Sequence, residues 1–460
     1  MPVPASDPWR PAFHFSSPVN WLNDPNGLIQ FKGKYHLFYQ HHPFGVDWGP
    51  MHWGHAVSTD LMRWTHEPIA LAPKRNEERD GCFSGSAVDD GGVLTLIYTG
   101  HTRESQTQCI ATSADGVNFE KLAGNPVIAA LPDGTLTPDF RDPKVWKHGD
   151  SWWLVAGTKR GALGQILLYA SPDLRTWTFK SIVAESDGTL GSMWECPDLF
   201  PLGDRHLLVI SPMGLDRPRS LFLTGSMDYA AGKFTQQSVQ DCDSGFDFYA
   251  PQTFLDHSGR RILIAWMDNW ASKLWPTKAN GWCGAMTIPR VVTLLSDGTV
   301  AMEPVPELQT LRRKHVHFDD LKLPAAPLHQ VSGDCLEIAA TVDLKRTSAQ
   351  EFGFSLRCSA DGAEATRVYY SRAEGKLLVD RTKSGAGDGG IYGAKLSLEH
   401  QDTLRLRIIV DRSSVEVFAQ EGRVAITNRI YPQASSIGVS SFATGGEAVL
   451  KTFDAWELRS

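Results

Sequence analysis

A spaced turn motif recurs along the first 300 residues and limits the fold more than any other feature of the chain. Each copy reads Ser-x-Asp, followed a few residues later by an aromatic side chain. The copies begin at Ser58, Ser113, Ser171 and Ser226, so their aspartates lie 55, 58 and 55 residues apart. This period, with several short apolar runs in each unit, is typical of a β-propeller. Residues 12–305 hold about five such units, which predicts five blades. Each aspartate is predicted to close a turn onto backbone N–H groups, with the aromatic residue packing between blades.

The composition and periodicity of the chain change after the propeller-like part. Fourteen of the fifteen tryptophans lie at or before Trp282. From about residue 330, apolar and polar residues alternate in short runs, which predicts an antiparallel β-sandwich. Prolines precede and basic residues close the segment between the two parts, as in a linker with a short helix. The sequence therefore predicts an all-β protein with a five-bladed propeller over 1–308, a linker over 309–328 and a sandwich over 329–460.

Bulk properties exclude several classes of partner. The net charge of −7 and the absence of a basic tail argue against a nucleic-acid partner. No apolar run reaches the roughly 18–20 residues that a membrane helix needs. The first residues lack a signal-peptide pattern, so a cytoplasmic location is expected, although a processed secreted form stays open. Seven cysteines without a CxxC pair fit free thiols in a reducing compartment.

Three acids stand in unusual Trp- and Pro-rich settings. Asp24 lies in Trp-Leu-Asn-Asp-Pro-Asn-Gly, Asp142 in Arg-Asp-Pro, and Glu195 in Trp-Glu-Cys-Pro. Taken singly, each could be an ordinary turn residue or a structural ion pair. Their separations of 118 and 53 residues are about two repeats and one repeat, so equivalent loops of different blades would bring them together. Paired carboxyls cleave glycosidic bonds, and a third can hold sugar hydroxyls, so we expect a sugar-cleaving pocket.

Other chemistries find no support in the sequence. The motifs HExxH, GxSxG, GxxxxGK[ST] and a strand-linked GxGxxG do not occur. His41 and His42 are adjacent and lack the spacing of a helical zinc site, so a structural role is expected for them. We therefore predict no metal and no cofactor.

A set of longer segments resembles glycoside hydrolase family 32, the invertases and their relatives acting on β-fructofuranosides. The segments follow one another in the family's order over nearly the whole chain. They are WLNDPNG (21–27), FYQHHPFG (38–45), WGPMHWGHAVSTDL (48–61), FSGSAV (83–88), RDPKVW (141–146), WECPDLF (194–200), FYAPQTF (248–254), RRILIAWM (260–267) and DRSSVEVF (411–418). The resemblance implies a five-bladed propeller followed by a sandwich, and hydrolysis of sucrose or related fructosides.

The resemblance also implies roles for individual residues. Asp24 matches the nucleophile, Glu195 the general acid/base, and Asp142 the transition-state stabiliser. The mechanism would then retain configuration through a covalent fructosyl-enzyme, with the first two carboxyls roughly 5–5.5 Å apart. Further residues are expected to bind the substrate: Asn23, Gln40, Trp48, Phe83, Ser84, Arg141, Tyr249 and Trp266.

Substrate preference and competing functions stay open at this stage. Leu22 and the pair His41-His42 depart from common family residues beside the pocket. Sucrose, sucrose-6-phosphate and short fructo-oligosaccharides are all candidate substrates, as is transfer of fructose to another sugar or exo-cleavage of inulin or levan. More remote alternatives are an inverting arabinan-cleaving propeller and a fructan-binding protein without activity. The sandwich is a candidate homodimer contact. A phosphorylated substrate would need a basic clamp, for which the loop candidates are Lys74, Arg75, Arg103, Lys159 and Lys273.

Overall fold

Strands account for nearly all regular structure in the chain. The computed structural model describes residues 7–325, 328 and 330–459. Residues 1–6, 326, 327, 329 and 460, which the predicted domain ranges include, lie outside the described part. Helical structure in that part is limited to short 3-10 turns, among them Asn76–Glu78, Pro276–Asn280 and Pro306–Leu311. None of the described helices is long and apolar enough to cross a membrane. The all-β prediction is confirmed.

In the described chain up to residue 304, the strands form five sheets that follow one another in sequence. The first two contain β1 (Asn20–Phe31), β2 (Lys34–His42), β3 (His52–Ser58), β4 (Thr65–Leu71), and β5 (Gly81–Asp90), β6 (Val93–His101), β7 (Gln106–Ser113), β8 (Glu120–Lys121). The next two contain β9 (Phe140–His148), β10 (Ser151–Arg160), β11 (Leu163–Ser171), β12 (Thr178–Glu185), and β13 (Met193–Leu202), β14 (Arg205–Met213), β15 (Leu221–Asp228), β16 (Lys233–Asp241). The fifth contains β17 (Tyr249–Leu255), β18 (Arg261–Trp266), β20 (Arg290–Leu294) and β21 (Val300–Pro304), whereas β19 (Trp282–Cys283) joins the first sheet.

The first strands of the five sheets lie side by side. Strands β1, β5, β9, β13 and β17 each pack against the next, and β17 also packs against β1. Strand β19 pairs in parallel with the start of β1. A segment that follows β18 in sequence therefore adds a strand to the first sheet. The five first strands are therefore neighbours, and residues far apart in sequence can meet at their ends.

The Ser-x-Asp repeat lies at the same place in four sheets, in the turn from the third strand to the fourth. In every copy, one aspartate oxygen accepts hydrogen bonds from the backbone N–H groups two and three residues later, at 2.7–3.0 Å. The predicted role of the aspartates is confirmed. The aromatic residue serves in two ways. The indole N–H of Trp64 bonds back to the carbonyl of Leu61 within the same turn, whereas Phe119 packs against Phe38 of the preceding sheet.

The remaining described chain forms a β-sandwich, as predicted. One sheet has the order β22-β32-β23-β28-β29-β30 and the other β27-β26-β25-β24-β31, with an apolar core between them. The strands are β22 (Arg312–Leu323), β23 (Leu336–Asp343), β24 (Glu351–Cys358), β25 (Ala365–Ser371), β26 (Lys376–Lys383), β27 (Ile391–Lys395), β28 (Thr403–Asp411), β29 (Ser414–Ala419), β30 (Val424–Arg429), β31 (Gly438–Thr444) and β32 (Ala448–Leu458).

The structure corrects the predicted linker over 309–328. A short 3-10 helix ends at Leu311, but the following residues form β22, a long edge strand of the sandwich. Val316 and Phe318 alternate with exposed residues and pack on the sandwich core. The prolines before this segment and the basic residues that close it suggested a linker with a short helix, but an edge strand needs an apolar residue only at every second position.

Buried charges join the two units. Asp411 of the sandwich accepts backbone N–H groups of Ala12, Phe13 and His14. The His14 ring lies between Asp411 and Glu416, with its nitrogens 2.8 and 2.7 Å from their carboxylate oxygens. Arg290 of β20 pairs with the same Glu416. The N-terminal segment is thus held by groups from the far end of the chain.

This cluster predicts a pH dependence of stability. Burial alone lowers the pKa of His14, but hydrogen bonds to Asp411 and Glu416 outweigh burial and raise it to about 9. Its ordinary pKa is 6.5, so the stabilisation is complete below about pH 6.5 and is lost as pH rises toward 9. Replacing His14 by Gln should therefore lower the unfolding free energy by about 3–5 kcal/mol at pH 6, and by less at pH 9.

Calorimetric unfolding of both proteins at the two pH values measures this change. The same difference at pH 6 and pH 9 would contradict a charged His14. Asp411 and Glu416 determine how stability changes at acid pH. The pKa of each lies below its ordinary value, and that of Glu416 is about 2. Their contribution is present above their ordinary pKa values and is lost as pH falls through the depressed ones.

Candidate active site

Every first strand is interrupted by a β-bulge near the same end. The register with the second strand slips between Leu22 and Pro25 in β1 and between Phe83 and Gly85 in β5. It also slips opposite Asp142 in β9, between Glu195 and Asp198 in β13, and between Tyr249 and Gln252 in β17. A bulge turns side chains out of the strict in-and-out alternation of a strand. The three acids therefore stand at bulges, where their side chains can depart from that alternation.

The bulges explain the prolines of the acid motifs and correct one prediction. Pro25, Pro143, Pro197 and Pro251 each stand at a bulge, where a backbone N–H is not needed for the ladder. The sequence predicts the three acids in turns and loops, because Pro, Asn and Gly favour turns. In the structure they lie within β1, β9 and β13.

Backbone conformation at the bulges is unusual. Asp142, Cys196 and Ala250 have positive φ values of 64°, 49° and 50°. Such a conformation is unfavourable for residues with a Cβ, and it persists where the surrounding structure enforces it. Strained residues at corresponding places of three neighbouring strands, two of them in acid motifs, mark this end of the strands as functional.

The bulges open into one cavity of about 360 Å³. This volume suits a small ligand. Asp24, Asp142 and Glu195 all line it, so the structure brings the three predicted acids together. The full lining consists of Asn23, Asp24, Gln40, Trp48, Met51, Phe83, Ser84, His101, Gln106, Pro138, Asp139, Arg141, Asp142, Glu195 and Trp270.

Asp24 is fixed by two neutral donors. The hydroxyl of Ser84 donates to Asp24 Oδ2 at 2.6 Å, and the Asn23 amide donates to Oδ1 at 3.0 Å. The indole N–H of Trp21 holds the Asn23 amide in turn, at 2.7 Å. Burial raises the pKa of Asp24, the hydrogen bonds from Ser84 and Asn23 lower it, and the charge of Glu195 raises it further, for a net rise. The carboxylate is therefore oriented without a cation to neutralise it, as an attacking oxygen requires.

Removing the Ser84 hydroxyl should change the pH profile. Ser84 favours the ionised form of Asp24, so Ser84→Ala should raise the pKa of Asp24 and move the acidic limb of the activity profile to higher pH. A hydrogen bond to a charged group is worth enough to lower kcat/KM by about tenfold on that limb, with less loss at the optimum. Sugar release measured from pH 4 to 8 tests this expectation. An equal loss at every pH would show that Ser84 acts on substrate binding alone.

Glu195 has charged and neutral partners on its two oxygens. Arg141 Nε and Nη2 both lie within 3.1 Å of Oε1, and the Tyr249 hydroxyl lies 2.8 Å from Oε2. The same hydroxyl is 3.0 Å from the carbonyl oxygen of Ser211. A hydroxyl has one proton, so Tyr249 can donate to an ionised Glu195, or accept from a protonated one while donating to Ser211. The site thus accommodates both protonation states of Glu195 without an unpaired group.

Asp142 is the most deeply buried of the three acids. Its Oδ2 accepts the backbone N–H of Cys196 at 2.9 Å. The Cys196 sulfur lies 3.6 Å from this oxygen and also 3.6 Å from Asp24 Oδ2. Burial raises the pKa of Asp142, Arg141 lowers it, and the charges of Glu195 and Asp24 raise it again, to about 7. Burial and the two neighbouring carboxylates therefore favour the protonated form of Asp142.

Most predicted binding residues lie in the cavity. Asn23, Gln40, Trp48, Phe83, Ser84 and Arg141 line it, whereas Tyr249 contacts it through Glu195. The assignment of Trp266 is corrected, because this residue is fully buried and does not line the cavity. Trp270, with a ring 4.7 Å from Trp266, is 43% exposed and lines the cavity instead.

Several lining residues were missed by sequence reasoning. Trp270 stands in a loop after β18, and its position next to the motif that contains Trp266 was an available signal. His101 stacks on Phe83 at 3.9 Å, and burial lowers its pKa to about 4. Gln106 accepts a hydrogen bond from Arg141 at 3.3 Å. His101 and Gln106 occupy β6 and β7, outside the first strands, and carry no sequence signal of their own.

The chain is similar to known proteins over nearly its whole length. Residues 14–304 match the description "Glycosyl hydrolases family 32 N-terminal domain", and residues 307–457 match "Glycosyl hydrolases family 32 C terminal". The sucrose-6-phosphate hydrolase of Escherichia coli is 43% identical, over 97% of this chain and 94% of its own. The raffinose invertase of Escherichia coli is 42% identical, over 98% and 95%. A solved β-fructofuranosidase of Bombyx mori, a mutant in complex with sucrose, aligns with a TM-score of 0.84 at 35% identity, over 99% of this chain and 95% of that one.

Proposed function

The chain belongs to glycoside hydrolase family 32 and is a glycoside hydrolase; from this premise we propose that it hydrolyses sucrose and short β-fructofuranosides with retention of configuration. The observation that carries the proposal is the meeting of Asp24, Asp142 and Glu195 in one cavity. Relatives named for hydrolysis of sucrose-6-phosphate and raffinose, and a similar structure bound to sucrose, support the substrate class.

In the proposed reaction, Asp24 attacks the anomeric carbon of the fructosyl unit while Glu195 protonates the leaving oxygen. The hydrogen bonds from Ser84 and Asn23 aim the Asp24 carboxylate. After the leaving sugar departs, Glu195 takes a proton from water, and this water releases fructose from Asp24. The Tyr249 hydroxyl can hydrogen-bond to Glu195 in both steps. It donates to the ionised carboxylate, and when Glu195 is protonated it accepts from Glu195 and donates to the Ser211 carbonyl.

Asp142 and the aromatic walls take the remaining roles in this proposal. Positive charge develops on the fructosyl ring in the transition state, and hydrogen bonds from its hydroxyls to a carboxyl strengthen as it does so. Asp142, fixed by the Cys196 N–H at the bottom of the cavity, is placed for such bonds. Trp48 and Trp270 are both partly exposed and line the cavity, and their rings offer apolar faces for the sugar.

The proposed architecture is a five-bladed propeller with a boundary to the sandwich near residue 305. It is supported by the order of the five sheets and the contacts among their first strands, including β17 with β1. A location in a reducing compartment such as the cytoplasm is proposed on the seven cysteines, all of which are free thiols.

Sugar release and stereochemistry test the proposed function directly. Purified protein should release glucose and fructose from sucrose, and in water–methanol mixtures it should also form methyl β-fructofuranoside. The β-anomer is expected because double displacement at one face retains configuration. Methyl α-fructofuranoside would reject the covalent intermediate, and no sugar release from sucrose, kestose or raffinose would reject the function. Formation of kestose at high sucrose would reveal transfer to sugar acceptors.

A second cavity beside the acids supports sucrose-6-phosphate as an additional substrate. It has a volume of about 610 Å³ and is lined by Arg217 and Arg219, together with Ala162, Gly188, Thr189, Gly191, Ser192, Gly214, Leu215 and Asp216. Met213 contacts one lining residue of each cavity, because its sulfur lies 3.3 Å from Arg141 Nη2 and its carbonyl accepts the N–H of Ser192. The cavity is thus on the side of Arg141 and Glu195, and in this proposal the leaving sugar departs toward it. Among the predicted clamp residues, Lys159 pairs with Asp139, which lines the catalytic cavity.

Replacing Arg217 should distinguish the two substrates. Arg217→Gln removes one cation from this cavity, so the ratio of kcat/KM for sucrose-6-phosphate to that for sucrose should fall about tenfold. Arg175→Gln, in an exposed Ser-x-Asp turn, is the matched control and should leave the ratio unchanged. A ratio that is the same in both variants and the original protein would remove Arg217 from phosphate recognition without affecting the proposal for sucrose.

A further inference from the structure

Two histidines and an aspartate meet on the outer surface of the sandwich. His315 and His317 lie two residues apart on edge strand β22, and Asp454 lies on β32. The antiparallel register puts His317 directly opposite Asp454. Val316 and Phe318 pack toward the core, so the alternation of the strand places both imidazoles on the solvent side, each about 45% exposed.

The side chains converge on one point. His315 Nε2 and His317 Nδ1 each lie 2.8 Å from the same oxygen, Asp454 Oδ1. One ligand atom from each residue lies within 4.8 Å of the other two. Two imidazole nitrogens and a carboxylate oxygen form a donor set that suits zinc and related divalent transition metals more than calcium or magnesium. We propose that His315, His317 and Asp454 bind one zinc-class divalent ion.

Neighbouring groups hold the two rings in the orientation that binding requires. His317 Nε2 lies 3.1 Å from Asp319 Oδ2, so the nitrogen that faces away from the site has a carboxylate partner. A carboxylate on the outer nitrogen is the usual support of a metal-binding histidine, since it fixes the tautomer and the ring. The His315 ring stacks on Trp456, with centroids 4.8 Å apart and planes within 4°. Each ring is thus fixed by a contact outside the donor set.

The proposed ion would tie the edge strand to the C-terminal strand. Three protein ligands leave a fourth position to water in a tetrahedral site. Binding at about 2.0–2.1 Å from each nitrogen requires the imidazoles to separate slightly from Asp454, which their exposure permits. Because the ion binds the folded chain, it should raise the melting temperature. Strand β22 begins directly after the 3-10 helix that leads from the first unit, so the ion would secure the start of the sandwich.

Isothermal titration of the metal-free full chain with ZnCl₂ near neutral pH tests the proposal. One ion per chain should bind and raise the melting temperature, and both effects should be lost in His317→Gln and in Asp454→Asn. Asp319→Asn should weaken binding by about tenfold, since it leaves the ligands in place but frees the outer nitrogen. Excess MgCl₂ or CaCl₂ should not displace the ion. His257→Gln, an exposed histidine in the turn between β17 and β18, is the matched control and should bind as the original protein does.

Two results would overturn the proposal. One is the absence of saturable zinc binding by the original protein. The other is unchanged binding in both His317→Gln and Asp454→Asn, which would place the ion elsewhere. Cys358→Ser excludes a thiol contribution, because the other six cysteines are buried. Sucrose hydrolysis serves as the check on folding, and a chelator should leave its rate unchanged. The binding readout does not depend on the proposed function, so the two can fail separately.

Discussion

Replacing Asp24 by Asn is expected to lower kcat for sucrose by at least about ten-thousandfold, because an amide cannot form the covalent fructosyl intermediate. Asparagine has nearly the same shape, and its oxygen can still accept the Ser84 hydroxyl, although its amide nitrogen can no longer accept the Asn23 amide. Steady-state kinetics on sucrose measures the loss. Thermal unfolding of the variant should match that of the original protein.

A matched amide change shows whether the loss is specific. Asp139→Asn alters another lining carboxylate, which pairs with Lys159 and Arg141 and has no assigned chemical step. It should reduce kcat far less than Asp24→Asn. If Asp24→Asn kept kcat within about tenfold of the original value, the nucleophile would have to be another group.

Replacing Glu195 by Gln is the second large expected effect, with a fall in kcat on sucrose of about a hundredfold to ten-thousandfold. The loss should depend on the leaving group. A nitrophenyl β-fructofuranoside has a leaving group that needs no proton, so its kcat/KM, which reports bond cleavage, should fall much less. Glutamine can still accept a hydrogen bond from Arg141, so the cavity should keep its shape. The difference between the two substrates therefore reports proton donation and not a change in cavity shape.

The same variant should reveal the covalent intermediate. Without the carboxylate of Glu195 to activate water, the second step should become slow while the activated substrate still reacts in the first. Mass spectrometry of the protein during turnover should then find one fructosyl unit, attached within the peptide that contains Asp24. Added azide should speed turnover, because it needs no base. Equal losses for sucrose and the nitrophenyl substrate would contradict the proton-donor role.

The sequence predicted the fold where local chemistry repeats. The Ser-x-Asp turns have fixed hydrogen-bonding needs, so their spacing indicates the repeat of sheets from the sequence alone. The fifth sheet lacks this motif, and its third strand is reached only after the short strand β19 has joined the first sheet. Strand β22 was missed because its charges face solvent and only alternate residues are apolar. Both the fifth sheet and strand β22 depend on which strands pair with each other, and the local sequence does not determine that.

The three acids were predictable and parts of their surroundings were not. Asp24, Asp142 and Glu195 stand in motifs whose prolines and strained neighbours mark the bulges. Trp266 and Trp270 are both plausible sugar platforms by residue type. Which of them reaches the cavity depends on the path of the loop after β18, and Trp266 lies within the core of its sheet. His101 and Gln106 contribute through strands that carry no acid motif, so only their packing reveals them.

The attachment of residues 12–14 to Asp411 has a consequence for how the chain is made. Ribosomes release the N-terminus first, yet the carboxylate that receives its amides is synthesised some 400 residues later. Until then His14 lacks both of its carboxylate partners, and Arg290 lacks Glu416. A nascent chain that stops near residue 305 therefore lacks the carboxylates that hold residues 12–14 in the finished protein, and Arg290 has only Asp243 as its partner. Residues 12–14 can therefore take up their final contacts only after Asp411 has been synthesised, late in translation.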